Sequence, residues 1–314
     1  MKDVVLNFPE QLKLGAQAAK GFKLGKEYKR VVISGMGGSI IPGFMYLTYR
    51  EHKNRGPGVP VVINNNYGLP SDVTTEDLVI CISWSGTTEE TISALKTALE
   101  RGVDSIVITK GNELGQLAKE NNVPLITLPD VEYPPRWSVG YMVGALFTVL
   151  GFENELDAKL DPKGLENSGK ELAEKIGAKI PIIYTSYPWR KLGAMWKANI
   201  NETAKTPAYW NYMPVMAHDE LEMYEQNNLP LYPIILKDSK DQPRYTRNID
   251  AAIAIFNELG YNYNIVDLNS SDKLLETILN NYILALWTSY YLANNLGVNP
   301  EDIGLIEKFK QLKK

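Results

Sequence analysis

The chain has 314 residues, long enough for two domains that each bury a core. Its formal net charge of −4 is evenly spread, with 15 basic and 15 acidic residues in positions 1–150 and 18 and 22 in the remainder, so neither half has the clustered Lys and Arg that nucleic acid demands. The single cysteine, Cys81, lies in an apolar run, which excludes an internal disulfide, suits a reducing cytoplasm and reads as core.

The opening stretch MKDVVLNFPEQLKLG carries Lys2, Asp3, Glu10 and Lys13 and has no apolar core long enough for a signal peptide, so no export is expected. A polar-patterned helix is predicted over residues 9–28. Strands are predicted at 31–34, 59–64, 78–83, 105–109 and 124–128, with helices at 40–51, 88–101 and 113–121 between them. This alternation predicts a doubly wound, parallel layer. Pro134-Pro135 ends it, an apolar helix follows over 138–150, and the domain boundary falls near Gly151, giving domains 1–152 and 153–314. A more polar helical stretch, 153–176, interrupted by Pro162 and Gly164, connects the halves.

The second half repeats the plan loosely, with strands at 180–185, 231–236 and 262–268. Ser186 ends the first of these as Gly35 ends its counterpart, but the glycines and the hydroxyl cluster are gone, so one phosphate site is expected, in the first domain. Residues 277–300 carry no charge. Asn280, Asn281, Asn294 and Asn295 break the apolar run that a membrane span needs, so a buried interdomain or intersubunit helix is expected and no membrane contact.

Two strand ends carry the chemistry. In LVICISWSGTTEETISAL, over 78–95, Ser83, Ser85, Thr87 and Thr88 bracket Gly86 between a strand and a helix. Hydroxyls and the open amides of a helix start hold a phosphate without lysine. An ordinary N-cap, Ser85 or Thr88 followed by Glu89 or Glu90, explains the same residues. Upstream, a second strand runs into Ser34-Gly35-Met36-Gly37-Gly38-Ser39. A dinucleotide fingerprint fails here: Ile40 stands where the third glycine belongs, and Asn64-Asn65-Asn66 stand where the ribose acid belongs.

The two loops, about fifty residues apart, form a pattern that neither makes alone. GMGGS at 35–39, SWSGTTEET at 83–91, PPRWSVGY at 134–141, NETAK at 201–205 and AHDELE at 217–222 resemble the sugar isomerase (SIS) fold and, in that order, the bifunctional phosphoglucose/phosphomannose isomerases. The resemblance implies an α/β chain of two SIS-type αβα sandwich domains with doubly wound, mainly parallel sheets. It also implies a homodimer with its active site near the subunit interface, acting on hexose 6-phosphates through a cis-enediol, with no cofactor and no metal. Substrate phosphate falls to Gly37, Gly38, Ser39, Ser83, Ser85, Thr87 and Thr88. The sequence departs from the family at Thr87, where Asn is usual, and at Ile40, Ile41 and Pro42, where small residues are usual.

Of the two histidines, His52 lies in a charged run, 50–56, and reads as a surface residue, whereas His218 opens a helix after an apolar loop. The resemblance gives His218 a part in ring opening. Glu202 follows a helix predicted over 189–200, amid Trp196, Tyr209, Trp210 and Tyr212, an apolar setting of the kind that prepares a carboxylate for proton abstraction. A solvated helix-end acid explains it equally; the resemblance makes it the base that moves a proton between C1 and C2. Glu202 and His218 are sixteen residues apart, both expected in loops bordering helices, where one cleft can hold them. Arg136 matches the arginine that steadies the enediolate. Lys310, among Lys308, Lys313 and Lys314, matches a terminal-helix lysine that assists ring opening. Another SIS-fold isomerase and a non-catalytic sugar-phosphate sensor stay open as alternatives, but a sensor has no use for Glu202, His218 and Arg136 together.

Overall fold

A computed structural model describes residues 1–52, 59–226, 229–268 and 271–313. Residues 53–56 of the charged run, and Lys314, lie outside the described residues. Residues 7–159 form one compact unit; residues 160–314, with Met1–Leu6, form a second.

The chain begins with a short helix of the second unit, α1 (Lys2–Leu6). The first unit then runs α2 (Phe8–Ala18), β1 (Arg30–Ser34), α3 (Ile41–His52), β2 (Val61–Asn64), β3 (Asp77–Ser83), α4 (Glu89–Glu100), β4 (Asp104–Thr109), α5 (Asn112–Glu120), β5 (Leu125–Thr127) and α6 (Val139–Val149). Its five strands pair in the order β2-β1-β3-β4-β5, every ladder parallel. They read as near-continuous Val and Ile runs because helices cover both faces. Val32, Val79, Cys81 and Val107 pack with Ile92, Leu95 and Ala98 of α4 and Leu114 of α5. On the other face α3 lies so close that a Cβ at Gly43 would stand 2.9 Å from Ile33 Cγ2. Burial pushes the Cys81 thiol up to about 12, as a core cysteine requires.

The second unit continues with α7 (Pro162–Ile176), β6 (Ile180–Ser186), α8 (Arg190–Ala204), β7 (Tyr209–Met213), α9 (Met216–Asp219), β8 (Leu231–Lys237), α10 (Pro243–Glu258), β9 (Asn264–Asp267), α11 (Leu274–Asn295) and α12 (Gly304–Leu312). Its four parallel strands take the order β7-β6-β8-β9. Numbered within each unit, this is the first unit's order less one edge strand, so the duplication that is faint in sequence is plain in topology.

Several expectations need correction. The first long helix ends at Ala18, where a polar run containing Gly21, at φ +81°, cannot continue it. Pro162 does not interrupt a helix but starts α7, its missing N–H costing nothing at the first position, while Asp161 accepts from the Gly164 N–H at 2.8 Å. β7 was unexpected; its aromatics Tyr209, Trp210 and Tyr212 read as the surroundings of a site, whereas they form an edge strand paired with β6. The helix over the uncharged stretch, α11, starts earlier than that stretch and includes Glu276, and it is buried as expected. It is the second unit's own core helix, lying on α7 and α8, with a Cβ at Gly169 only 2.4 Å from Trp287 Cβ and the Trp287 indole N–H donating to the Pro162 carbonyl at 2.7 Å. No described helix is long and apolar enough to cross a membrane.

Glu166, on α7, ties three helices of the second unit together, accepting from Lys163 at 2.7 Å, Lys2 at 2.6 Å and the Tyr291 hydroxyl at 2.7 Å. Lys163 first, then Lys2 and Tyr291, hold its carboxyl down to about 2. A carboxyl lower in the folded than in the unfolded chain stabilises fully above its unfolded value, and that contribution fades as pH falls toward 2. Glu166→Gln should therefore lower the melting temperature at pH 7 and flatten its decline between pH 4.5 and 2. Melts across a pH series check this; parallel curves for the two proteins would show that the cluster contributes nothing to acid lability.

Candidate functional site

In a sheet ordered β2-β1-β3-β4-β5 the connections leave in opposite directions from β1 and β3, opening a crevice at their carboxyl ends where α/β proteins bind ligands. Both hydroxyl-bearing loops emerge there, after Ser34 of β1 and Ser83 of β3. They are joined: the Trp84 N–H donates to Ser39 Oγ at 2.9 Å. Trp84 is itself fixed by donation from its indole to the Tyr133 carbonyl at 2.7 Å and by stacking on Tyr141 at 5.4 Å.

Within the second loop Ser83 Oγ accepts from the Gly86 N–H at 3.1 Å and shares a hydrogen bond of 3.0 Å with Thr88 Oγ1. Ser85 Oγ accepts from the Thr87 N–H at 3.3 Å and the Thr87 hydroxyl at 3.2 Å. Thr88 occupies the N-cap position of α4, as the capping alternative requires, yet makes no side-chain cap bond to the helix. Its hydroxyl instead shares a hydrogen bond with Ser83. Because Ser39 and Ser85 accept through oxygen, each keeps a proton to donate to an anion.

Close backbone approach explains the glycines. Gly86, at φ +72°, would place a Cβ 1.9 Å from the Gly111 carbonyl oxygen. Gly37 has φ +52°, and a Cβ at Gly38 would meet the Arg136 amide nitrogen at 2.5 Å. Thus the 37–39 turn rests directly on the Pro135–Trp137 turn that carries Arg136. Arg136 is buried, its guanidinium 4.8 Å from the centre of the Trp137 ring. Ile40 and Ile41, departures from the family pattern, are buried as core.

The corresponding crevice of the second unit, between β6 and β8, is built differently. Ser186 donates to Asp241, and Asp238 accepts from the Trp189 indole at 3.0 Å. Burial pushes the Asp241 carboxyl up to about 6, against the Ser186 hydrogen bond and with the charge of Asp238 adding to the rise. A carboxylate pair repels a phosphate dianion, a physical reason to assign phosphate to the first unit alone.

Glu202 lies in the last turn of α8, not in a loop after it, because the helix runs on to Ala204. It lines a cavity of about 490 Å³ with residues 201, 205–207 and 302–306. That volume lies within the usual range for small-molecule pockets, roughly 300–1,000 Å³. His218 sits in α9 and is exposed, and it is not among the residues lining the Glu202 cavity. Lys310, on α12, is exposed, paired with Glu307 at 2.8 Å, and outside that lining too. His52 is half-buried at the end of α3, its Nδ1 bonded to the Thr48 carbonyl at 2.8 Å, rather than a solvated surface residue, because the charged run begins inside the helix.

Sequence reading gave no role to Trp84, which bridges the loops, to Asn112, whose side-chain amide donates to the Ser85 carbonyl at 2.7 Å, or to Lys205. Trp84 stood inside the quoted motif; the Asn112 contact spans 27 residues and has no local signal.

Residues 49–149 match the SIS domain family, and residues 165–312 match the family described as bacterial phospho-glucose isomerase C-terminal SIS domain. The chain is 34% identical to the bifunctional phosphoglucose/phosphomannose isomerase of Aquifex aeolicus over 90% of each protein. It is 27% identical, over 91% of this chain and 90% of that protein, to a D-glucosamine-6-phosphate 4-epimerase of Sulfolobus acidocaldarius. The crystal structure of tagatose-6-phosphate ketose/aldose isomerase from Escherichia coli shares the fold, with a TM-score of 0.67 at 13% identity over 95% of this chain and 94% of that one. With identity above 30% sustained along nearly its whole length and both of its units matched, the chain belongs to the bifunctional phosphoglucose/phosphomannose isomerase family.

Proposed function

We propose that the protein is an aldose–ketose isomerase that interconverts glucose 6-phosphate and mannose 6-phosphate with fructose 6-phosphate through a cis-enediol. The observation that carries this reading is the pair of loops held together at the β1/β3 crevice by the Trp84–Ser39 bond, an anion cradle of hydroxyls and helix amides. Gly37, Gly38, Ser39, Ser83, Ser85, Thr87 and Thr88 take the phosphate. Glu202 removes the C2 proton of the aldose; the C2–H electrons form the C1–C2 double bond, and the former carbonyl oxygen takes the negative charge. A proton passes from the C2 hydroxyl to the C1 oxygen, and as Glu202 returns its proton to C1 the double-bond electrons form the C1–H bond and the electrons on the C2 oxygen form the carbonyl of the ketose. The exchange is redox-neutral within the sugar and draws on no cofactor. Arg136 balances the enediolate, and His218 and Lys310 serve ring opening.

The reading includes a homodimer with its active site near the subunit interface, in the cytoplasm. The exposed His218, and Leu305, Phe309 and Leu312 on α12, which are 83%, 63% and 77% exposed, support the dimer.

The phosphate assignment is tested by Ser85→Ala and Thr88→Ala. A hydrogen bond to a charged group is worth about 1.5–3 kcal/mol, so KM for glucose 6-phosphate should rise roughly ten- to a hundredfold with kcat little changed. Unaltered KM in both variants would return the loop to a capping role. The relative named as a 4-epimerase supplies a second substrate class, and glucosamine 6-phosphate in the same assay separates the two: a product altered at C4 favours the epimerase reading.

A further inference from the structure

We infer that Lys205 is a catalytic residue: its ammonium group meets the negative charge that develops on the sugar's C1 and C2 oxygens as the proton leaves. The inference rests on Glu202 being the base.

Lys205 caps the C-terminus of α8 in the left-handed conformation, at φ +55° and ψ 26°. The other non-glycine residues with positive φ among those described are Asn112 and Asn122, a residue type whose short amide suits that conformation. Glycine is the usual occupant of a left-handed helix end, so a lysine there is exceptional. Held there, the side chain turns back along the last helical turn, and Nζ donates to the Glu202 carbonyl oxygen at 2.6 Å. The negative end of the helix dipole favours an ammonium at this point.

The cavity supplies the second observation. Among the described residues that line it, the charged side chains are Glu202, Asp302 and Lys205. Once Glu202 has taken the proton it is neutral, the sugar carries the negative charge, and Asp302 adds its own. Lys205 is then the cation lining that space, placed on the residue three after the base. Lys310 lies on the same terminal helix that closes the cavity, yet pairs with Glu307 and does not line it. A charge that matters only once the enediolate forms should act on turnover and leave substrate binding alone.

The test uses purified full-length Lys205→Gly, with Lys205→Asn as a second variant suited to left-handed backbone should glycine loosen the helix end. Both should melt at or above the wild-type temperature. KM for glucose 6-phosphate should stay close to wild type, while kcat falls by about a hundredfold or more, the typical loss for one group opposing a developing oxyanion. Lys205→Arg, which restores the charge, should recover much of the lost turnover. Glu202→Gln is assayed alongside. If it is inactive while both Lys205 variants keep wild-type kcat, the role of Lys205 is overturned and the base stands. If Glu202→Gln keeps its turnover, the base reading itself falls. A raised KM with unchanged kcat would make Lys205 a binding residue and overturn the catalytic role.

Discussion

Glu202→Gln should bind hexose 6-phosphates normally and turn them over at least about 10²–10⁴-fold more slowly. The amide keeps the size and planarity of the carboxylate, so the cavity formed with residues 302–306 retains its shape, but the amide cannot accept the C2 proton. The position within α8 matters to this expectation. A helical residue has a fixed backbone, and substitution there perturbs the surroundings less than substitution in a loop would. Steady-state kinetics on glucose 6-phosphate check it; retention of a third of wild-type turnover would assign the base elsewhere.

Gly38→Ala should be nearly as damaging, although Gly38 performs no chemistry. Its Cβ would lie 2.5 Å from both the Arg136 nitrogen and the Pro135 carbonyl carbon, atoms of backbone that cannot rotate away. The 37–39 turn and the Arg136 turn must separate, displacing Ser39 and the guanidinium together. Misplacing binding groups by about 1 Å costs roughly a hundredfold in rate, so kcat/KM should fall by that order while circular dichroism stays native. Wild-type kcat/KM for Gly38→Ala would mean that the two turns do not need their observed contact. Gly37, at φ +52° with nothing near its Cβ, should lose less on the same change.

The first unit was legible because parallel strands buried on both faces announce themselves as Val and Ile runs, and because each loop of the crevice is contiguous in sequence. β7 was not, since its exposed Tyr209 and mixed Trp210-Asn211-Tyr212 have the pattern of a half-covered edge strand. Helix ends were read from residue type and failed where type was ambiguous. Pro162 both starts and breaks helices, and Lys205 gives no sign in sequence that its backbone is left-handed. The roles of Glu202, His218, Arg136 and Lys310 came from motif resemblance; contacts such as Gly38 on Arg136, across 98 residues, needed the fold.

One base serving two sugars is the central claim. Glucose 6-phosphate and mannose 6-phosphate differ only at C2, which becomes planar when its proton leaves, so both lead to a common enediol. The most direct measurement is fructose 6-phosphate formation from each sugar by the wild-type protein and by Glu202→Gln. Wild-type rates should agree within about tenfold, a barrier difference of about 1.4 kcal/mol, and the variant should lose both activities together. Turnover of glucose 6-phosphate with mannose 6-phosphate inert, or loss of one activity without the other in Glu202→Gln, would contradict it.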